Sequence, residues 1–230
     1  MSGINSEWFT DAVSRSIRSR QSLGSRLSQF AHRNDVIVLG LPRGGIPVAF
    51  EVARGLNSPL DVFVVRKLGV PGQEELAMGA IASSGIRVVN RTVVDSLGIT
   101  NDDIEKAAAE QQPELERREE EYRNGRPMLD VHEQTAILID DGLATGSSMR
   151  VAAVALRKRG PARIVIAVPV AAPSTCEELE SEADQVVCAV TPESFQAVGQ
   201  WYQDFRQTSD EEVRELLHRA AQFGTPRAAA

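Results

Sequence analysis

Four apolar residues, Ala136-Ile137-Leu138-Ile139, run straight into two acids, Asp140 and Asp141, and then into the turn Gly142-Leu143-Ala144-Thr145-Gly146-Ser147-Ser148. An unbroken apolar run reads as a strand buried on both faces, which belongs in a parallel sheet covered by helices. The helix that opens after the turn stops at Arg157-Lys158-Arg159-Gly160-Pro161, where cations meet the negative helix end and glycine and proline terminate it. A turn of small residues at a helix start aims unpaired backbone N–H groups at an anion. The carboxylates ahead of it suit hydroxyl groups or a metal ion. A ribose 5-phosphate offers all of these partners in one molecule.

The rest of the chain fits the same architecture. Val36-Ile37-Val38-Leu39 is a second buried strand, followed by a turn, a helix over 46–56 with Pro47 in its first turn, and a strand over 61–65. This βαβ unit implies a parallel sheet with a right-handed crossover. Strands are expected over 163–168 and 185–190, with a helix near 174–181 between them. Residues 5–31 place Trp8, Phe9, Val13, Ile17, Leu23, Leu27 and Phe30 at mostly helical spacing, predicting an N-terminal helix or helix pair. Segment 66–79, rich in glycine and proline with charges at both ends, reads as a mobile loop. Segments 78–83 and 87–90 flank Ser84-Gly85 as a hairpin. A charged helix is expected over 100–123, capped by Thr100 and Asp103 and broken or restarted at Pro113, with Glu119-Glu120-Glu121 as a solvated face. A last helix begins about Thr208 or Ser209, with Ser209 and Glu212 as a capping box. No repeat or long linker divides the chain, so residues 1–230 are read as one α/β domain.

A formal charge of −7 and a pI near 5.1 argue against a nucleic-acid or anionic-membrane surface as partner. No apolar run approaches the roughly 18–20 residues that span a bilayer, and no signal-peptide core is seen, so the expected compartment is the cytoplasm. Cys176 and Cys188 lack a metal or redox spacing and read as two buried thiols. His32, His132 and His218 are scattered, with no HExxH or comparable constellation, which argues against a structural zinc site.

Two further loops belong to the same sheet edge. In Leu41-Pro42-Arg43-Gly44-Gly45, two residues without side chains beside one arginine make a pyrophosphate seat, where a tight turn is the plainer alternative. Arg66 and Lys67 follow a strand; alone they are solvated charges, but beside the other loops they become pyrophosphate ligands. The chain has neither GxxxxGK[ST] nor GxGxxG spacing. Near the C-terminus, Phe195, Trp201, Tyr202 and Phe205 form either a packed cluster or a lid that stacks on a planar acceptor. Asp204 is a candidate for metal contact.

The stretch from Asp140 to Ser148 resembles the phosphoribosyl-pyrophosphate (PRPP) motif of type I phosphoribosyltransferases. LPRGG, VRKLG and DDGLATG occur in the order seen in a bacterial group of these proteins with no assigned acceptor. The resemblance implies a mostly parallel sheet flanked by helices, with a core of about 34–190 and a hood built from about 1–33, 97–127 and 191–224. Asp140 and Asp141 would hold the ribose 2′- and 3′-hydroxyls. Ala144, Thr145, Gly146, Ser147 and Ser148 would cradle the 5-phosphate. Arg43, Gly44, Gly45, Arg66 and Lys67 would take the pyrophosphate, with a cis Pro42–Arg43 peptide and segment 66–79 as a flexible lid whose Glu74 and Glu75 have no assigned role. Arg66, Lys67, Asp140 and Asp141 would act in catalysis, and Mg²⁺ would bridge PRPP oxygens near Asp140 and Asp141. Gly142 departs from the family, which carries an aliphatic residue there. Ala144 stands where 6-oxopurine enzymes carry an acid, which points to another acceptor.

The implied activity is transfer of a phosphoribosyl group from PRPP to a small-molecule acceptor with loss of pyrophosphate, in a chain that follows the family tendency to form homodimers. The main alternative is a non-catalytic sensor of PRPP or a nucleotide. A phosphosugar hydrolase is the third reading; it requires that Asp140→Asn spare PRPP binding while abolishing hydrolysis.

Overall fold

The computed structural model describes residues 23–223. Its centre is a parallel five-stranded sheet in the order β2-β1-β6-β7-β8, built from β1 (Val36–Gly40), β2 (Leu60–Val62), β6 (Thr135–Ile139), β7 (Arg163–Val170) and β8 (Gln185–Val190). Every residue of β1 and β6 is buried, as continuous apolar strands between two helical layers require.

Strand alternation divides the core in two. Val36, Val38, Ile137, Ile139, Val165 and Ala167 face one layer, formed by α1 (Leu23–Leu27), α2 (Gly45–Leu56), α4 (Asn101–Arg123) and α7 (Asp210–Ala220). Ile37, Leu39, Ala136, Leu138, Ile164 and Ile166 face the other, where α5 (Ser147–Arg157) and α6 (Pro173–Leu179) pack. A short helix, α3 (Arg91–Leu97), precedes α4. No helix among the described residues is long and apolar enough to cross a membrane.

The expected N-terminal helix falls mostly outside the described residues. Its last part is present: Leu23, Leu27 and Phe30 are fully buried against the first layer.

Several expectations are corrected. The strand expected over 61–65 is two elements, β2 and then β3 (Val65–Val70), separated by Phe63 and Val64. Segment 66–79 is not a structureless loop. It forms most of an antiparallel hairpin, β3 with β4 (Gln73–Ala82), turning at Gly72 with φ +76°. Gly72 serves the turn and Gly69 a bulge, where a Cβ would lie 2.7 Å from the Glu74 carbonyl, while Gly79 lets the neighbouring strand backbone at Val88 approach closely. The outer residues of β4 are exposed, whereas Met78–Ala82 is not, so the base of the hairpin is anchored and its tip projects. β5 (Ile86–Val89) completes this three-stranded sheet by the expected pairing across Ser84-Gly85.

Pro113 does not break α4, which runs unbroken through it after the expected Thr100–Asp103 capping box. A 23-residue helix absorbs the lost bond because its buried residues, Ile104, Ala108, Leu115 and Tyr122, hold both halves on the core. The glutamate run on α4 is more than a solvated face: Glu119 pairs with Arg123, and Glu121 with Arg117 and Arg214. The two cysteines are not free thiols but a disulfide joining α6 to β8. Their spacing matched no redox motif because the bridge is made by packing, with α6 lying beside the strand that follows it.

Candidate functional site

The chain leaves β1 through α2 towards β2, and leaves β6 through α5 towards β7, on opposite sides of the sheet. Such a reversal opens a crevice beyond the strand ends, where open α/β sheets bind ligands. The loops bordering it are 41–44 after β1 and 140–146 after β6. Leu41 N–H donates to the Ile139 carbonyl at 2.8 Å, which continues the β1–β6 pairing into the two loops.

The two glycines lie directly on the two acids. A Cβ on Gly44 would fall 2.0 Å from Asp141 Oδ2, and one on Gly45 would fall 2.8 Å from the Ile139 carbonyl and 2.9 Å from Asp140 Cα. Any side chain there would push the acids out of the crevice. The Pro42–Arg43 peptide is cis, as the resemblance implied.

Asp140 Oδ1 accepts the Asp141 backbone N–H at 2.9 Å. Burial, and then the neighbouring Asp141 charge, push the Asp140 carboxyl well above the usual carboxylate range. Burial also raises Asp141, in spite of the backbone N–H groups at 141 and 142 that favour its ionised form. No basic side chain offsets either acid among the described residues. An uncompensated pair of carboxyls in a crevice is costly to ionise, which marks a candidate ligand site.

The loop after the acids leads to the N-terminus of α5. Gly146 caps it at φ +65°, and Ala144, Thr145, Ser147 and Ser148 are exposed there. The hydroxyls of Thr145 and Ser147 lie 3.0 Å apart. Thr175 holds this loop from α6: its hydroxyl donates to the Ala144 carbonyl at 2.7 Å, and its methyl occupies the space a Cβ on Gly146 would need. The next residue, Cys176, carries the disulfide to β8, so the loop that Thr175 holds is tied back to the sheet.

Gly142, the departure from the family, is explained by its neighbours. A Cβ there would meet Val198 Cγ1 at 2.6 Å and Val170 at 3.0 Å. The volume of the usual aliphatic residue is supplied by Val198 from the C-terminal segment. That segment is fastened again by Tyr202, whose hydroxyl donates to the Asp141 carbonyl. Burial and the two acids raise the Tyr202 phenol, so it remains a donor. Tyr202 packs on Phe205 with centroids 5.1 Å apart. Trp201 and Phe195 are half-buried, and Trp201 Nε1 is buried without a protein partner. Tyr202 is thereby brought to the acids. Asp204 is exposed and interacts with Arg206 instead. Among the described residues no group of three or more His, Cys, Asp or Glu could hold a metal.

Each of the three expected pyrophosphate cations is held by another residue: Asp210 and Gln111, which the sequence did not single out, and Glu75, which it left without a role. Arg43 pairs with Asp210, the first residue of α7, at 3.5 Å, and Asp210 also accepts the Tyr122 hydroxyl. Arg66, on β3, reaches Gln111 of α4, donating from Nε at 3.2 Å and from Nη2 at 2.7 Å to the same oxygen. Lys67 lies 3.1 Å from the Glu75 carbonyl and 3.5 Å from its carboxylate, across the hairpin. Ser209 caps α7 by accepting the Glu212 N–H, one half of the expected capping box, while the Glu212 carboxylate meets Arg206; that cap was the one sequence signal that placed Asp210.

Comparison with known proteins agrees with this arrangement. Residues 16–205 match the model of the phosphoribosyl transferase domain family. Over 200 residues the chain is 46% identical to the Mycobacterium tuberculosis H37Rv protein named "Putative phosphoribosyl transferase Rv0571c", a match covering 87% of this chain and 45% of that one. The chain thus spans less than half the length of that relative. The crystal structure of TT1426 from Thermus thermophilus is 40% identical, with a TM-score of 0.76, covering 89% of this chain and 98% of that one. The parallel sheet, the crevice at its switch point and these matches together place the chain in the phosphoribosyl transferase domain family.

Proposed function

We propose that the chain is a phosphoribosyltransferase that takes the 5-phosphoribosyl group of PRPP, passes it to a nitrogenous base or related acceptor, and releases pyrophosphate. One observation carries this reading: the bare backbone of Gly44 and Gly45 lies against Asp140 and Asp141 in a single crevice. A pyrophosphate needs close backbone approach, and a ribose needs carboxylates for its hydroxyls; PRPP needs both side by side.

In this reading Asp140 and Asp141 accept the 2′- and 3′-hydroxyls of the ribose. Residues 144–148 present N–H and hydroxyl donors to the 5-phosphate at the α5 N-terminus. Arg43, Arg66 and Lys67, with the Gly44-Gly45 backbone, take the pyrophosphate and stabilise the charge it gains as the C1–O bond breaks. The acceptor attacks C1 from the opposite face, so no protein nucleophile is required. The hairpin tip closes over the reacting carbon to exclude water. Tyr202, with Trp201 and Phe195, borders the acceptor side.

Two inward-facing carboxyls without a cation suit Mg²⁺, yet two acids alone do not make a cage for it. Asp140 and Asp141 would therefore hold the ion together with PRPP oxygens, as Mg²⁺ is commonly held by one or two carboxylates plus substrate phosphates. When bound it supplies charge neutralisation to the leaving group. Ala144 places no acid beside the acceptor, so hypoxanthine, guanine and xanthine are disfavoured relative to adenine- or orotate-type acceptors.

The test is product analysis with PRPP, Mg²⁺ and a panel of bases. Pyrophosphate release that depends on one non-6-oxopurine acceptor is the expected result. PRPP binding without release under every acceptor would overturn turnover in favour of sensing.

A further inference from the structure

The three cations assigned to pyrophosphate differ in what holds them. Arg43 faces the Asp210 carboxylate, and Lys67, besides the Glu75 carbonyl at 3.1 Å, has the exposed Glu75 carboxylate at 3.5 Å, so each has a negative neighbour to exchange when an anionic ligand arrives. Arg66 is held by a neutral amide oxygen, in a two-pronged contact from Nε and Nη2. A carbonyl fixes a guanidinium's direction without cancelling its charge, whereas a carboxylate does both. Both side chains are half-buried, where a charge is less screened than at the surface. The residue type is pointed: α4 carries glutamates at 105, 110, 114, 116, 119, 120 and 121, yet the position that meets Arg66 is glutamine.

We propose that Gln111 is a positioning residue for the pyrophosphate end of the site, aiming Arg66 into the crevice as a pre-formed, uncancelled cation. Arg66 is then the first fixed anchor for the pyrophosphate, and Arg43 and Lys67 join by exchanging a carboxylate for it. This rests on reading the crevice as a PRPP site.

The experiment measures binding of inorganic pyrophosphate with Mg²⁺ by calorimetry, at several salt concentrations, for the wild type, Gln111→Glu and Gln111→Met. Gln111→Glu keeps the shape and the hydrogen bonds but cancels the charge. It is expected to weaken binding roughly tenfold at low salt and to flatten the salt dependence. Gln111→Met keeps the charge but loses the aim, and should weaken binding by roughly threefold with an unchanged salt slope. In turnover, both variants raise KM for PRPP more than they lower kcat. Wild-type affinity and salt slope in Gln111→Glu, or equal losses in the two variants, would overturn the assignment while leaving the site intact. A wild type that binds neither pyrophosphate nor PRPP would overturn the reading of the crevice itself, and the role of Gln111 with it.

Discussion

Asp61, within β2, and the Asp140–Asp141 pair, just past β6, are acids drawn into the same parallel sheet, but their surroundings are opposite. Asp61 is 5% exposed and each of its oxygens is committed. Oδ1 takes Arg123 Nε at 2.9 Å and the Val62 N–H at 2.7 Å, while Oδ2 takes the Leu129 N–H at 2.9 Å. Arg123 is in turn buried and donates to the Val62 carbonyl and to Glu119. Asp140 and Asp141 have each other, a few backbone N–H groups and no cation among the described residues. The first site is closed; it ties the C-terminal end of α4 to the edge strand, and a ligand has nothing left to bind. The second is open, and under the proposed function what it lacks is what a ribose and a metal ion would bring. Burial of an acid is therefore uninformative by itself, and the count of its satisfied oxygens separates scaffold from site.

Breaking the closed site should have the largest effect. Arg123→Met leaves Asp61 charged, buried and partly unpaired, and such losses cost about 3–5 kcal/mol. Urea unfolding should show that loss. Adding Asp61→Leu should not restore full stability, because the Val62 and Leu129 N–H groups then lose their acceptor. A variant as stable as the wild type would mean that the pair is incidental to the fold.

The open site should respond in the reverse sense. Asp140→Asn removes a charge that the unliganded crevice disfavours, so the apo protein should melt higher than the wild type near neutral pH. Under the proposed function the same change removes a charged acceptor for a ribose hydroxyl. Hydrogen bonds to charged groups are worth about 1.5–3 kcal/mol, so PRPP binding should weaken roughly 10- to 100-fold. Calorimetry with PRPP and Mg²⁺ measures it. Unchanged PRPP affinity would instead match the phosphosugar hydrolase alternative. A variant both less stable and equally active would place Asp140 with Asp61 as scaffold.

The contrast explains which parts could be read from the sequence. The sheet was legible because β1, β6 and β7 are continuous apolar runs bounded by glycine, proline and charge, and their period leaves little choice of environment. The acids and turn of the open crevice were visible for the same reason: Asp140, Asp141 and the run to Ser148 are local, so one segment carries the pattern. The closed site was not, since Asp61 and Arg123 stand 62 residues apart and each is an ordinary charge in its own segment. Asp210 with Arg43, Gln111 with Arg66 and Val198 with Gly142 were hidden likewise, because only the packing of α4, α7 and the C-terminal segment brings them together. The hairpin over 65–82 differs from the loop its composition suggests because Gly72 serves a turn, Gly69 a bulge and Gly79 a close strand approach.

The smallest expected effect, and the sharpest test of the comparison, is the pH dependence of stability. Asp140 and Asp141 have folded-state values raised above those of the unfolded chain. Between the ordinary carboxylate value and those raised values, the folded state holds more protons than the unfolded one. Their contribution is thus fully present below the unfolded pKa and is lost as pH rises through the folded ones. Other acids act in the opposite direction: Arg117 and Arg118 hold Glu114 down to about 2, and Asp35 and Asp184 are also lowered, so these favour folding above the ordinary carboxylate value. A raw pH curve mixes the two signs, and the difference between wild type and Asp140→Asn isolates one of them. The melting temperatures should converge near pH 4 and separate as pH rises towards 8, with the variant the more stable. Because the two carboxyls interact, the separation should follow the pair rather than a single ideal titration. Saturating Mg²⁺ and PRPP should abolish or reverse the advantage of the variant, since they supply the partners that the wild-type acids lack. A constant gap across pH would show that the acids are already compensated in the apo protein, and the distinction between a closed and an open site would fail at the place where it matters most.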